Sequence, residues 1–235
     1  TMQEQHPITK AIRLQTERTA EKEHSTPLFL TSSFVYDSAE DMGAAFSDDT
    51  LDVNIYSRFS NPTVDEFIAK IAALEYAEDG IATATGMAAV FGVFMTFLKQ
   101  GDHIISASAV FGSTHTILTK YMPKWGIEYS YFDMNKPQSV ETLIKPNTKM
   151  LYVETPSNPG LDIVDIEYLS GICKANNILL VVDNCFATPA VQQPLRQGAD
   201  LVVHSATKFI DGQGRVLGGV VVGNKTLIKE LYLFI

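Results

Sequence analysis

The stretch of sequence that decides the fold reads Leu201-Val202-Val203-His204-Ser205-Ala206-Thr207-Lys208. Its first three residues are apolar and mostly β-branched, which is the pattern of a buried strand. Two hydroxyl side chains and an amine follow, at Ser205, Thr207 and Lys208. The lysine is either a nucleophilic amine beside a small anion site or a solvated side chain in a polar turn. The octapeptide alone favours the turn, because short motifs often match by chance.

Length and composition bound the class of protein. The chain has 235 residues, of which 46% are hydrophobic and 19% charged, enough for one large or two small domains. A formal net charge of −9 argues against nucleic acid or an anionic membrane as a partner, and no apolar run is long enough to span a bilayer. Cys173 and Cys185 lack metal-site spacing and the histidines are scattered, so we expect free thiols in a reducing cytoplasm and no metal site.

The first quarter of the chain is polar and mixed in charge. We expect residues 1–60 to form an N-terminal arm, with a loop that carries Tyr56 and Arg58. Within this arm, Asp37 is expected to cap a short helix.

From residue 61 onwards, helical and strand-like patterns alternate. Asn61 before Pro62 predicts the start of a helix, which we expect Gly80 to end. Short, nearly continuous apolar runs then alternate with segments of helical periodicity. The alternation predicts an α/β fold for residues 61–235, a mostly parallel sheet with helices on both faces.

Polar residues follow several of the predicted strands, and ligands bind beyond the carboxyl ends of open parallel sheets. Gly86 would let the start of a helix approach a phosphate, although this motif taken alone favours a simple tight turn. Asp183 follows five apolar residues, so its carboxylate needs a cationic partner unless it caps a helix or makes a structural hydrogen bond. A phosphate cradle, a carboxylate for a protonated pyridine nitrogen and the amine of Lys208 together predict pyridoxal 5′-phosphate (PLP) as cofactor.

Five blocks of sequence carry a resemblance to a known family. They are Tyr56-Ser57-Arg58 with Asn61-Pro62-Thr63, Thr85-Gly86-Met87-Ala88, Glu154-Thr155-Pro156-Ser157-Asn158-Pro159, Asp183-Asn184-Cys185-Phe186-Ala187-Thr188-Pro189 and Ser205-Ala206-Thr207-Lys208. On these blocks the chain, from about residue 12 onwards, resembles the Cys/Met-metabolism family of fold-type I PLP enzymes. That family includes cystathionine γ-synthase and γ-lyase, methionine γ-lyase and the homoserine-ester sulfhydrylases.

The resemblance implies a role for each matching residue. Lys208 would bind the cofactor covalently and shuttle protons, Asp183 would pair with the pyridine nitrogen, and Asn158 would lie near the ring hydroxyl. Tyr56 and Arg58 would reach the phosphate of a neighbouring subunit, which implies a homo-oligomer, a dimer of dimers with shared active sites. The residues that would hold the phosphate within the subunit are Gly86, Met87, Ser205 and Thr207.

Two departures from the family pattern narrow the expected reaction. The residue that stacks on the cofactor ring is usually a tyrosine and is Phe111 here, which keeps the aromatic face but lacks the phenol. The second departure is the segment after the lysine, residues 209–219, where members of the family more commonly have a Gly-His segment. Both departures resemble the O-succinylhomoserine sulfhydrylase branch. The resemblance therefore implies that sulfide replaces the γ-acyloxy group of an O-succinyl- or O-acetylhomoserine to give homocysteine, in methionine and cysteine biosynthesis.

Alternative functions stay open. Within the family, cystathionine γ-synthase or a γ-lyase is the alternative. A nicotinamide-dependent Rossmann oxidoreductase needs GxGxxG at the start of a helix, whereas Gly212-Gln213-Gly214 precedes a strand-like run. Family members carry a further C-terminal domain with the arginine that binds the substrate carboxylate, and we expect this chain to stop before it. An inactive fragment, acting only as an interaction remnant, is then the non-enzymatic alternative.

Overall fold

A computed structural model describes residues 5–48, 51 and 53–235 of the chain. The chain divides into two compact units, and the division falls between Lys70 and Ile71, inside a helix. The predicted boundary at residue 60 separates an arm from a cofactor-binding domain by function, so it stays a prediction.

The N-terminal unit contains short helices joined by extended segments. Helices α1 (Pro7–Arg13) and α2 (Ala39–Ser47) belong to it, together with the first part of α3 (Pro62–Glu75). The cap predicted at Asp37 is wrong by one residue, because the hydroxyl of Ser38 accepts the hydrogen bond from the Asp41 amide at 3.0 Å. At the start of α3, the side-chain oxygen of Asn61 accepts from the Thr63 amide at 3.0 Å, so the predicted helix start is confirmed.

Helix α3 ends at Glu75, so the prediction that it would end near Gly80 is wrong. Tyr76 adopts a left-handed backbone conformation with φ 62°, and the amide of Ala77 donates to the carbonyl of Ala72 at 2.8 Å. This closure is the one that a glycine usually provides after a helix. The stop signal is therefore carried by a tyrosine, and Gly80 lies within the first strand.

The second unit is built on a seven-stranded sheet. Its strands are β1 (Asp79–Thr83), β2 (His103–Ala107), β3 (Glu128–Phe132), β4 (Thr148–Glu154), β5 (Leu179–Asp183), β6 (Leu201–Ser205) and β7 (Gly219–Gly223). The order across the sheet is β1-β7-β6-β5-β4-β2-β3. The strands from β6 to β3 pair in parallel, whereas β7 is antiparallel to both of its neighbours. The predicted α/β fold with a mostly parallel sheet is confirmed.

A helix follows most of the strands. They are α4 (Gly86–Phe97), α5 (Gly112–Thr116), α6 (Ser139–Leu143), α7 (Ile166–Asn176), α8 (Thr188–Val191) and α9 (Lys225–Phe234). Helix α5 is followed directly by a π-helical turn (Ile117–Tyr121). Among the residues that the structure describes, no helix is long and apolar enough to cross a membrane.

The hydrophobic core of the second unit lies on the sheet. Every residue of β2 and β7 is buried, and the apolar side chains of β4, β5 and β6 are almost all buried as well. Burying a large apolar side chain stabilises a fold by roughly 1.5–3 kcal/mol, so these strands form a rigid base. The polar residues at their carboxyl ends are held on that base.

Candidate active site

The carboxyl ends of neighbouring strands bring the predicted polar positions side by side. Strand β4 ends at Glu154 and β5 at Asp183, and these two residues are direct partners in the parallel register. Asp183 is in turn the partner of Val203 in β6, two positions before Ser205. The residues at these strand ends therefore share one edge of the sheet, where open α/β folds bind their ligands.

Asp183 is a buried carboxylate whose hydrogen bonds come from neutral donors. Its Oδ2 accepts from the hydroxyl of Tyr152 at 2.9 Å, and its Oδ1 accepts from the amide of Cys185 at 3.1 Å. Burial raises the pKa of Asp183, and these hydrogen bonds oppose the rise. A cation placed beside such a carboxylate would stabilise its charged form.

Tyr152 was not among the residues predicted for the site. It is fully buried, and burial followed by the charge of Asp183 raises the pKa of its hydroxyl, which therefore stays a hydrogen-bond donor. Tyr152 lies two residues before Glu154 in β4, so both side chains occupy the same face of the strand. That period of two is the signal that could have identified it.

Glu154 links two loops at the mouth of the site. Its Oε2 accepts from the amide of Phe111 at 2.6 Å, and its carboxylate also receives a hydrogen bond from the amide of Asn158. Burial, with a contribution from the charge of Asp183, raises the pKa of Glu154 to about 7. From the sequence, Glu154 was expected to be a polar residue at the end of a strand, and no contact was predicted for it. Its effect is to fix the backbone of Phe111 and of Asn158 relative to one another.

The start of α4 packs closely against the end of β6. The Thr85 hydroxyl accepts from the Ala88 amide at 3.1 Å and caps the helix. A Cβ atom on Gly86 would lie 2.5 Å from Cβ of Ser205 and 2.8 Å from its hydroxyl oxygen. A Cβ on Gly219 would likewise lie 2.3 Å from the carbonyl oxygen of Thr85. Both glycines are therefore required for this approach, which sets the Ser205 hydroxyl against the positive end of a helix.

Lys208 lies in the exposed turn that follows β6. Its amide donates to the Ser205 carbonyl at 3.3 Å, and its carbonyl accepts from the Gly212 amide at 2.8 Å. The hydroxyl of Thr207 accepts from the Gly218 amide at 3.1 Å, so the turn is tied to the approach to β7. The half-buried Met87 follows Gly86 in the first turn of α4.

The segment after the lysine folds around one carboxylate. Oδ2 of Asp211 accepts from the amides of Gln213 and Arg215 at 3.1 and 2.9 Å, and Oδ1 accepts from the guanidinium of Arg215 at 3.1 Å. These hydrogen bonds, with that of the Arg215 amide the largest cause, lower the pKa of Asp211. This unusual stretch of sequence is thus a compact turn with its own hydrogen bonds.

Tyr56 and Arg58 lie in the N-terminal unit. The backbone of Tyr56 pairs with Ser33 in an isolated β-bridge. The guanidinium carbon of Arg58 lies 5.2 Å from the centroid of the Tyr56 ring and 4.7 Å from that of Phe59, distances typical of a cation–π contact. The structure brings Tyr56 and Arg58 together with one another, and their reach to a neighbouring subunit stays a prediction.

The groups gathered at the strand ends fit PLP. The capped start of α4 and the Ser205 hydroxyl form a site for a phosphate that any side chain at Gly86 would fill. Asp183 is a buried carboxylate that a pyridinium would neutralise. Lys208 supplies an amine in the turn that follows β6, three residues after Ser205. The donors and the charges correspond to the phosphate, the ring nitrogen and the aldehyde of the cofactor.

Comparison with known proteins gives the same class of enzyme. Residues 8–235 match the family model described as Cys/Met metabolism PLP-dependent enzyme. The chain is 48% identical over 227 residues to the O-succinylhomoserine sulfhydrylase of Pseudomonas aeruginosa, which covers 97% of this chain and 56% of that relative. It is 43% identical over 206 residues to the L-methionine gamma-lyase of Fusobacterium nucleatum subsp. polymorphum, which covers 87% of this chain and 52% of that relative.

A solved structure shares the fold over almost the whole chain. The metY protein of Campylobacter jejuni superposes with a TM-score of 0.89 at 33% identity, over 96% of this chain and 55% of that one. That structure includes N′-pyridoxyl-lysine-5′-monophosphate. This chain spans about half the length of the relatives that it matches.

Proposed function

Because the chain belongs to the Cys/Met-metabolism family of PLP-dependent enzymes, we propose that its full-length protein is a homoserine-ester sulfhydrylase. Sulfide replaces the γ-acyloxy group of O-succinyl- or O-acetylhomoserine, so that homocysteine forms and succinate or acetate leaves. When bound, PLP serves as the electron sink for the negative charge that develops at the α-carbon of the substrate. The residues of this chain bind and orient the reactants and move the protons.

Three groups of this chain have separate tasks in the proposed reaction. The amine of Lys208 holds the cofactor and, once released, takes the α-proton of the substrate and later returns a proton. Asp183 keeps the ring nitrogen protonated, because the positive charge offsets the burial of its carboxylate. The start of α4 holds the phosphate, and the close packing of Gly86 on Ser205 supports this task.

The single observation that carries the choice of replacement over elimination is the phenylalanine at position 111. Glu154 accepts from the Phe111 amide at 2.6 Å, so the backbone of Phe111 is held at the carboxyl end of β4. A tyrosine in this place would supply a phenol able to move protons during elimination, whereas phenylalanine offers only an apolar face. We therefore expect the replacement by sulfide to be faster than the release of a keto acid.

The test compares two reactions of the full-length protein. Homocysteine formation from each acylated homoserine with sulfide is measured beside α-keto acid release from methionine and cystathionine. We expect homocysteine formation to dominate and Phe111→Tyr to raise keto-acid release about tenfold or more. Phe91→Tyr, which adds a phenol in α4 next to Trp125, is the matched control. Faster keto-acid release than homocysteine formation by the native protein would overturn the proposal.

The second candidate function is a γ-lyase of the same family. The observation that favours it is the 43% identity to a methionine γ-lyase, which is close to the identity with the sulfhydrylase. The same pair of assays decides between the candidates. Keto acid released from methionine in the absence of sulfide would support the lyase.

We also propose that the active protein is a homo-oligomer in which Tyr56 and Arg58 act across a subunit interface. The exposed guanidinium of Arg58 and the half-exposed ring of Tyr56 support this assignment. An Arg58→Ala variant mixed with a Lys208→Ala variant should then form hybrid sites with both residues intact. Recovery of activity on mixing, with the oligomeric mass measured by light scattering, is the expected result. Two inactive variants that stay inactive in a demonstrated mixed oligomer would contradict it.

A further inference from the structure

A buried polar network lies behind the strand ends that carry the proposed site. Its centre is Glu75, the last residue of α3, whose Oε1 contacts Nε2 of His204 at 2.6 Å and accepts from Nδ2 of Asn184 at 2.8 Å. All three residues are 0% exposed. A carboxylate buried to this extent is costly unless hydrogen bonds compensate it. The cluster is therefore a built feature that neither the proposed reaction nor the phosphate cradle uses.

Each partner of Glu75 is the immediate neighbour of a residue proposed to touch the cofactor. Asn184 follows Asp183, and His204 precedes Ser205. Side chains alternate along a strand, so His204 points to the face opposite Ser205. Glu75 thus holds the rear of two strand ends whose front carries the groups for the ring nitrogen and for the phosphate.

Backbone hydrogen bonds join the carboxyl ends of β5 and β6 over only a few residues. The pairing of β5 with β6 covers residues 181–183 of one and 201–203 of the other, and one further bond joins the amide of Asn184 to the carbonyl of Val203 at 3.0 Å. Ser205 lies beyond that ladder. The side-chain contacts to Glu75 extend the connection past the point where the backbone pairing stops.

The network reaches a third strand end through Gln192. Its Nε2 donates to Oδ1 of Asn184 at 2.9 Å and to the carbonyl oxygen of Thr155 at 2.8 Å. Thr155 directly follows Glu154, the carboxylate that fixes Phe111. The ends of β4, β5 and β6 are therefore joined by side chains on the side away from the proposed cofactor.

We propose that Glu75 is a positioning residue for the cofactor: through His204 and Asn184 it sets the spacing between Ser205 and Asp183, and so the tilt of the PLP ring. A rigid molecule that is bound at both its phosphate and its ring nitrogen binds best when the two sets of binding groups lie at one particular spacing. The inference rests on the proposed placement of PLP at Asp183 and Lys208. It extends the cofactor site to a residue that makes no contact with the reacting groups.

The test measures cofactor binding without substrate. The full-length protein is freed of cofactor and titrated with PLP, and the visible circular dichroism of the bound cofactor reports its orientation. We expect Glu75→Leu to raise the Kd for PLP about tenfold, equivalent to about 1.4 kcal/mol, and to change the circular dichroism. Glu75→Gln keeps an acceptor oxygen for Asn184 and is expected to restore the Kd to within about threefold of the native value.

The matched control is His103, another fully buried histidine, which bonds to Thr148 and Ser130 at the other end of the sheet. His103→Leu should lower the melting temperature of the cofactor-free protein and leave the Kd within about twofold. If Glu75→Leu lowers only the melting temperature and leaves the Kd and the circular dichroism unchanged, Glu75 is purely structural and the proposal is wrong.

A milder variant keeps the proposal testable if Glu75→Leu does not fold. His204→Leu removes one of the two contacts of Glu75, keeps Asn184 and matches the His103→Leu control, and we expect it to raise the Kd about threefold. A native Kd in this variant, with a native circular dichroism, overturns the proposal as well. Because no homoserine ester is present, a wrong choice of reaction leaves these measurements unaffected. A native protein that does not bind PLP at all would instead refute the proposed site.

Discussion

Two buried histidines at opposite ends of the sheet differ in how completely their hydrogen-bonding groups are satisfied. At the amino end, the two ring nitrogens of His103 lie 2.8 Å from the Thr148 hydroxyl and 2.9 Å from the Ser130 hydroxyl. At the carboxyl end, Nδ1 of His204 and Oε2 of Glu75 are buried and have no hydrogen-bond partner within the described part of the chain. His103 therefore has a partner at both ring nitrogens, whereas the buried pair of His204 and Glu75 keeps unused hydrogen-bonding capacity.

The ionisable groups near the two histidines differ in the direction of their pKa shifts. Burial lowers the pKa of His103, which favours its neutral form, and a hydrogen bond from Lys145 lowers the pKa of the exposed Glu128. At the carboxyl end, burial raises the pKa values of Glu154 and Asp183. Buried carboxylates with raised pKa values in a cleft are typical of sites that await a charged ligand. Burial also raises the pKa of Asp200, just before the amino end of β6, where its Oδ2 accepts from the Leu180 amide at 2.7 Å. A raised pKa therefore points to a candidate ligand site only where the carboxylate lies at the carboxyl ends of the strands, as Glu154 and Asp183 do.

Replacing Lys208 should give the largest effect. Lys208→Ala is expected to abolish covalent trapping of PLP by borohydride, because no other amine occupies the proposed position. Lys149→Ala is the control, since Lys149 is an exposed lysine near the amino end of β4. Mass spectrometry of the reduced protein measures the adduct. Trapped cofactor in Lys208→Ala would remove the basis of the assignment.

Replacing Asp183 tests whether its buried charge acts on the cofactor. We expect Asp183→Asn to lower turnover of the full-length enzyme about a thousandfold, because the ring nitrogen loses the carboxylate that keeps it protonated. Asp102→Asn is the counterpart at the amino end, where Oδ2 of the buried Asp102 accepts from the Lys99 amide at 2.9 Å. That variant should lose stability and keep its turnover. Equal losses of turnover in the two variants would contradict the contrast.

Glu154 should make the cofactor-free protein less stable as the pH rises. Its pKa is about 7 in the folded protein against 4.5 ordinarily, so the folded state keeps a proton that the unfolded state has lost. The free energy of unfolding should therefore fall between about pH 4.5 and 7, by roughly 2–3 kcal/mol from this group. Glu154→Gln is expected to flatten that part of the profile, measured by urea unfolding.

The control for this profile is Glu128, whose pKa is lowered in the folded protein. A carboxyl group with a lowered pKa stabilises the folded state at pH values above its ordinary pKa, and this stabilisation is lost as the pH falls. Its pH dependence is therefore opposite in sign to that of Glu154. Glu128→Gln should leave the fall between about pH 4.5 and 7 in place. If Glu154→Gln keeps the native slope, another group causes the fall, and Asp183 is the first to examine.

Enlarging Gly86 should give the smallest effect of the four. An added Cβ would lie 2.5 Å from Cβ of Ser205, so the start of α4 has to shift. We expect Gly86→Ala to weaken PLP binding about tenfold, and a fluorescence titration of the cofactor-free protein measures it. Gly171→Ala in α7, where the added atom meets nothing within 4 Å, is the control and should keep the native affinity. Equal affinities in the two variants would remove Gly86 from the phosphate site.

The sequence predicted the residues at the strand ends better than their contacts. The apolar runs before Asp183 and Ser205 showed where strands stop, because a fully buried parallel strand has a continuous apolar pattern. The contact of Glu154 with the Phe111 amide joins residues far apart in the chain, and no local pattern encodes it. The end of α3 was missed for a local reason, since Tyr76 takes a backbone conformation that composition rules reserve for glycine.

The position of β7 in the sheet has a consequence for how the protein is made. Strand β1 lies at the edge of the sheet and pairs with β7, although more than half of the chain separates them. A ribosome releases the amino-terminal part first, so β1 and the helix after it have no neighbouring strand until residues 219–223 have emerged. Gly219 packs on Thr85 at the start of that helix. A growing chain can therefore complete the proposed phosphate site at the start of this helix only after β7 has been synthesised.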